Sequence, residues 1–329
     1  MEPEFYRQLH EQGIISDASF EKVKHKHQNV LFSLHWELKT ILYLGVTLLS
    51  GGLGTLIYKN IDTIGHQVIL ALIALVSASS FFYCSKHVLP FSKDKVASPN
   101  TSFDYVLLLG AITMVSFAGY IQYQYNIFGN NYGLATLFPM LALFYIAHRF
   151  DHLGILSMAI VSLGLWMGLT VTPKKLLSYG TFNSQTIIGT YLTFGVLLLI
   201  AGFLTQRYDF KKHFKFSYHH YGVHVTYIAL YAGYFYNYQK GTDLLFLAGV
   251  IALTAYLYFD SLKTLSYYFM VITVLYGYFG VCCLIVRLCM LFQSGEAFSV
   301  GILAFLLSGV GLILLLIELS KKMRGHDRF

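Results

Sequence analysis

Charge is scarce in this chain: 12% of its 329 residues are Asp, Glu, Lys or Arg, against 56% hydrophobic residues. That balance excludes an ordinary soluble core and is the composition of an integral membrane protein. Carboxylates are missing from the middle of every apolar stretch. All sixteen Asp and Glu fall in tails, loops or the ends of those stretches, as Asp104, Asp243, Asp260 and Glu318 do. Carriers coupled to protons or sodium commonly hold a carboxylate at the membrane midplane. Coupling of that kind would here have to run through histidine or tyrosine. Also absent are a glycine-rich phosphate loop, a Gly-x-Ser-x-Gly elbow, an HExxH pair and a Cys-x-x-Cys-His haem attachment. The four cysteines, Cys84, Cys282, Cys283 and Cys289, lie in or at the ends of apolar stretches, where small apolar packing is their usual role. The longest loop on the side read below as external, PKKLLSYGTFNSQ, is too short for a catalytic domain. The sequence therefore predicts no enzyme, no catalytic residue and no cofactor.

What is present is a series of long apolar runs. Crossing the hydrocarbon layer takes about 20 mainly apolar residues per helix, and ten runs qualify: 40–58, 66–88, 103–123, 133–148, 152–172, 186–206, 218–236, 243–259, 266–290 and 298–319. An all-α polytopic bundle of about ten spans follows, because backbone in lipid must satisfy its own hydrogen bonds. The fourth and eighth runs are short, and a tilted or re-entrant course is open to them. Residues 1–39 form a cytoplasmic leader of two short helices, with Gly13 stopping the first and Ser16 or Asp17 capping the second. The bundle occupies 40–320 and a basic tail 321–329. The opening MEPEFYRQLHEQ has acidic and polar residues where a signal peptide is basic and then apolar, so the first span is expected to stay as an anchor.

Lysine and arginine set the expected orientation. With the N-terminus in the cytoplasm, 18 of the 23 fall on the inner side, four on the outer side, and Arg287 lies within the ninth run. Both termini are thus expected to be cytoplasmic, in a bacterial inner membrane. The net charge of +7 mostly expresses this bias. It speaks for contact with anionic lipid headgroups and against nucleic acid as a partner. A membrane-protein partner or a second copy is open alongside the bilayer.

The segments LHEQGIISDASFEKV and LYLGVTLLSGGLGTLIYKNID resemble the DUF2157 family of predicted membrane proteins, whose members carry a short helical leader with a Gly-Ile-Ile-like turn and a glycine-rich first span. Asn60 matches the Asn of that family's Asn-Trp pair, and Ile61 stands where the Trp would be. YIQYQYNIFGNNYGLATLFPMLALFYIAHRF is similar to the family's Gln-x-Tyr stretch after the third span. The resemblance covers about the first 170 residues. It implies a polytopic inner-membrane protein and supplies no catalytic residue.

The most informative run is the seventh. In KFSYHHYGVHVTYIALYAGYFYNY, the residues His220, His224, Tyr227, Tyr231, Tyr234 and Tyr238 recur at steps of four, three, four, three and four, which puts all six on one helix face. Polar tips within a span turn toward the bundle interior or a wet cavity. Three uses fit: an interhelical seam of satisfied aromatic rings, a path or cavity for a small solute, and a metal or haem site. For the last, His220 and His224 are i and i+4, with His87, His148 and His152 as further candidate ligands. Arg287 joins the candidate polar pathway and is expected to snorkel outward, with Glu296 as partner. In HRFDH, residues 148–152, Asp151 is expected to cap the fifth span. The functions that follow are solute binding or transport along the seventh span, a structural or assembly subunit of a larger membrane complex, and a haem- or metal-binding redox protein.

Overall fold

The structure is a computed structural model that describes residues 65–129, 131–171, 184–238, 240–292 and 295–324, together with 10, 12, 15–17, 19, 20, 41, 44, 45, 48, 52, 55 and 59. Its elements are all helical among these residues. They are α1 (His66–His87), α2 (Thr101–Tyr125), α3 (Tyr132–Phe150), α4 (Leu153–Val171), α5 (Gln185–Arg207), α6 (Phe214–Tyr236), α7 (Asp243–Thr264), α8 (Tyr267–Phe292) and α9 (Gly295–Arg324). Every helix except α6 is long and apolar enough to cross a membrane. The protein is thus a polytopic helical membrane protein.

Nine of the ten expected spans correspond to these helices, with ends shifted by a few residues. The first, 40–58, lies for the most part outside the described residues. The runs read as short, 133–148 and 243–259, are helices of 19 and 22 residues. Their helical hydrogen bonding continues through the polar residues His148, Arg149, Asp260 and Lys263, which an apolar-run criterion cuts off. That corrects the re-entrant option: each is long enough for a full crossing.

The chain divides into two compact units, Met1–Val68 and Ile69–Phe329. In the first, Ser16 caps a short helix: its carbonyl accepts from Phe20 N–H at 2.9 Å and its hydroxyl from Ser19 N–H at 3.4 Å. Asp17 meets His10 Nε2 at 2.6 Å instead. The rest of the expected leader hairpin lies outside the described residues.

In the second unit, local sequence sets the helix ends. Asn100 accepts from Phe103 N–H at 2.7 Å and Ser184 from Ile187 N–H at 3.3 Å, starting α2 and α5. Asn126, Asp151 and Leu265 take left-handed backbone and stop α2, α3 and α7. The unit has two main cores. One is built on Phe103, Leu107, Leu143, Ile155, Leu156 and Phe194 from α2 to α5, closed by Phe214 and Tyr218 of α6. The other gathers Tyr227, Tyr231, Tyr234, Leu247 and Val250 between α6, α7 and α8. Helix α6 belongs to both, packing on α4, α5 and α7. With 13 of its 23 residues buried against these neighbours, it can carry more polar groups than a helix that faces lipid all round.

Candidate functional site

The face of α6 picked out by its spacing is turned toward α7 and α8. At its first turns, His220 Nδ1 meets Tyr268 Oη at 2.5 Å, and His224 Nδ1 meets Tyr276 Oη at 2.9 Å. The two imidazole rings lie 5.0 Å apart, edge to face. One turn further, Thr254 donates to Val250 O at 2.7 Å, so the 3.0 Å contact between Tyr227 and Thr254 is the tyrosine hydroxyl donating to Thr254 Oγ1. Tyr231 donates to Tyr276 O at 2.5 Å. The Tyr227 and Tyr276 rings stack at 4.4 Å, nearly parallel, a contact worth about 0.5–1.5 kcal/mol beyond the area it buries.

The far end of the face is held by charge. The Arg287 guanidinium donates to Asp243 Oδ2 and lies 5.9 Å from the centre of the Tyr238 ring. The Asp243 side chain is fully buried. Arg287 is therefore paired with Asp243 at the start of α7; the side chain of Glu296, the partner expected from the sequence, lies outside the described residues. Beside this pair, Asn237 donates to Gln185 Oε1 at 3.1 Å, tying the end of α6 to the start of α5. Tyr227, Tyr231 and Tyr234 expose 0%, 6% and 2% of their surface. From Tyr227 to Tyr234 the face is packed and bonded to its neighbours. Its two ends are partly open, with His220, His224 and Tyr268 at one and Tyr238 at the other.

Each of the remaining candidate metal ligands makes a local bond through one ring nitrogen. His87 Nδ1 meets Tyr83 O and His148 Nδ1 meets Phe144 O, each at 2.8 Å within its own helix. His152 Nδ1 accepts from Ile155 N–H at 3.2 Å. None of the three is brought to the His220–His224 pair, and among the described residues no three His, Cys, Asp or Glu side chains form a metal-binding group.

A second polar centre was not foreseen. Asp151 does not cap α4; its left-handed backbone ends α3, and His152 takes the cap. The freed carboxylate reaches the α5–α6 turn, accepting from Lys211 Nζ at 2.9 Å and His213 Nε2 at 2.5 Å, and from Val96 N–H at 2.5 Å. Lys211 in turn donates from its backbone to Lys93 O at 2.8 Å and from Nζ to Asp94 O at 3.3 Å. The α1–α2, α3–α4 and α5–α6 loops thus meet around one buried carboxylate, as loops on the same side of a membrane can. Next to it, burial holds His152 below its ordinary 6.5, against the opposing pull of Asp104, whose Oδ1 lies 3.9 Å from Nε2. The sequence signal was the HRFDH turn, but nothing local linked it to residues about sixty positions later.

Behind the tyrosine seam lies a cavity of about 640 Å³ between α7, α8 and α9. Thr254, the acceptor of the Tyr227 hydroxyl, lines it. So does Gly280, where an added Cβ would stand 3.2 Å from Tyr231 Oη. The lining is otherwise mostly aliphatic, with Tyr258, Thr273, Tyr278 and Ser308 as its remaining hydroxyls. No local sequence pattern announced it, because it exists where three helices fail to close.

No curated protein and no solved structure matches the chain. The match found ends within α4, before the seam and the cavity begin: over residues 7–156 the chain matches the model of the family of predicted membrane proteins DUF2157, the family its leader and early spans resemble.

Proposed function

We propose that this chain is a multi-pass protein of the bacterial inner membrane, with both termini in the cytoplasm, that binds a small membrane-soluble molecule beside the α6 face without passing it along that face. The observation that carries the reading is the 640 Å³ cavity whose wall is fixed by the seam hydroxyls. Its volume falls in the range of about 300–1,000 Å³ usual for small-ligand sites. The face itself supports no wet path, since its central tyrosines are buried and bonded to α7 and α8. The orientation is supported by the distribution of 18 and four basic residues and by the meeting of three loops around Asp151. In this role the protein makes and breaks no covalent bond.

Native mass spectrometry of the detergent-purified protein tests the binding role. Wild type should carry a bound small molecule, and Gly311→Phe should not. Gly311 lines the cavity, and a Cβ there meets nothing within 4 Å, so the ring enters open space. Wild-type protein with no retained mass would sink the reading.

A further inference from the structure

The open histidine end of the α6 face holds two imidazoles that are fixed at one nitrogen and free at the other. Nδ1 of His220 and Nδ1 of His224 are each held by a phenol of α8, Tyr268 at 2.5 Å and Tyr276 at 2.9 Å. Nε2 of each makes no hydrogen bond, and both side chains are partly exposed. Among the described residues the unbonded imidazole nitrogen that is sealed in the interior is Nε2 of His219, packed on α5 where a Cβ at Gly202 would stand 3.1 Å away. His219 therefore faces protein, and the next two histidines of the same helix keep an accessible nitrogen.

The separation of the two rings is one that a shared ion would set. An ion bound at about 2.0–2.1 Å by an imidazole nitrogen lies about 3.2 Å from the ring centre, so two rings on one ion, at angles from 90° to tetrahedral, have centres about 4.5–5.2 Å apart. The His220 and His224 ring centres are 5.0 Å apart. Edge-to-face packing alone permits a wider range, about 4.5–7 Å. The phenols supply what a ligand imidazole needs behind it. With Nε2 on a metal, Nδ1 keeps its proton and donates it to the phenol oxygen, which fixes the tautomer and the ring plane.

The donor set selects the ion. Two neutral nitrogens suit Cu²⁺, Zn²⁺ or Ni²⁺ and not Mg²⁺ or Ca²⁺, which take oxygen ligands. No described carboxylate or thiol joins the pair, and Asp260 is turned to Lys215 at 3.5 Å. The other coordination positions are left to water or a small external donor, so the ion can exchange.

We infer that His220 and His224 form the protein's half of an exchangeable site for a divalent transition-metal ion, with Tyr268 and Tyr276 as positioning residues. The site shares no residue with the α7–α9 cavity and does not rest on the binding role proposed for it.

The test uses the full chain, purified in detergent without a histidine tag, stripped by chelator and then titrated with Cu²⁺, which heads the affinity order for nitrogen sites. Electron paramagnetic resonance of the wild type should show hyperfine coupling to two imidazole nitrogens, and Zn²⁺ should compete for the same site. His220→Ala and His224→Ala should each weaken binding at least tenfold, while His148→Ala, whose Nδ1 is held by a carbonyl within its own helix, should not. Tyr268→Phe and Tyr276→Phe should weaken it by about tenfold, with melting of the metal-free protein read in parallel to separate affinity from stability. A wild-type spectrum with fewer than two imidazole nitrogens overturns the site, whether or not any variant folds. So does a two-nitrogen signal that survives in the His220→Ala His224→Ala protein, because it then belongs to other histidines. Unchanged affinity in both phenylalanine variants overturns the positioning role.

Discussion

Replacing Asp151 by Asn should be among the most damaging single changes in the second unit. The Asp151 and Lys211 side chains expose 1% and 0% of their surface, so water cannot take over from either partner. The substitution keeps an amide oxygen where Oδ2 accepts from Val96 N–H and Lys211 Nζ, but leaves the Lys211 ammonium buried without its counter-charge, with Asp94 O 3.3 Å and the Phe91 ring centre 5.0 Å away. Removing one partner of a buried pair typically costs about 3–5 kcal/mol, because an uncompensated charge stays behind. At about 2–4 °C per kcal/mol for a unit of this size, the apparent melting temperature in detergent should fall by roughly 10 °C. Lys211→Met removes the buried charge while Asp151 keeps His213 and Val96, so it should cost less. The double substitution should then recover much of the loss from Asp151→Asn, giving strong coupling in a double-mutant cycle. A shift of under about 2 °C for Asp151→Asn, or simple additivity with Lys211→Met, would refute the reasoning.

Glycine substitutions should divide by their neighbours. An alanine at Gly195 would place Cβ 2.8 Å from the Thr226 backbone nitrogen, forcing α5 from α6 at a cost of about 1–3 kcal/mol. Gly311→Ala meets no atom within 4 Å and should raise stability by about 0.5–1 kcal/mol through helix propensity; thermal unfolding in one detergent reads both. Tyr227→Phe loses one seam bond, but Thr254 keeps its own acceptor, so melting should report a loss of about 0.5–1.5 kcal/mol. Because burial keeps folded His152 neutral below 6.5, the unfolded chain takes up its proton first on acidification, so this residue's contribution to stability falls as pH drops below 6.5. His152→Asn keeps a capping side chain and should flatten the decline between pH 7.5 and 5.5, measured by melting at each pH.

The spans were legible because a membrane crossing demands a long apolar run whatever packs beside it. The polar face of α6 was legible as well, since steps of four and three survive in the sequence of one helix. Its partners were not. A tyrosine at position 227 says that a hydroxyl must be satisfied, and only the packing says that Thr254 takes it. Arg287 shows the same limit: Glu296 is near in sequence, but the buried carboxylate that meets it is Asp243, 44 positions away. At the α3–α4 turn, a cap was expected from residue type alone. The left-handed backbone of Asp151 moves that duty to His152 and releases the carboxylate toward Lys211. The cavity was invisible for a different reason, being the absence of side chains between three apolar helices, each ordinary in itself.

The most direct test of the central claim, that the α6 face is a closed seam, is the water accessibility of Tyr231. With Cys84, Cys282, Cys283 and Cys289 replaced by alanine, Tyr231→Cys would be exposed in proteoliposomes to a charged methanethiosulfonate reagent, beside Tyr208→Cys at an exposed position in the α5–α6 loop. The account predicts rapid labelling at position 208 and none at 231 until the protein is unfolded. Labelling at 231 as fast as at 208 would mean that water runs along the face, and would contradict it.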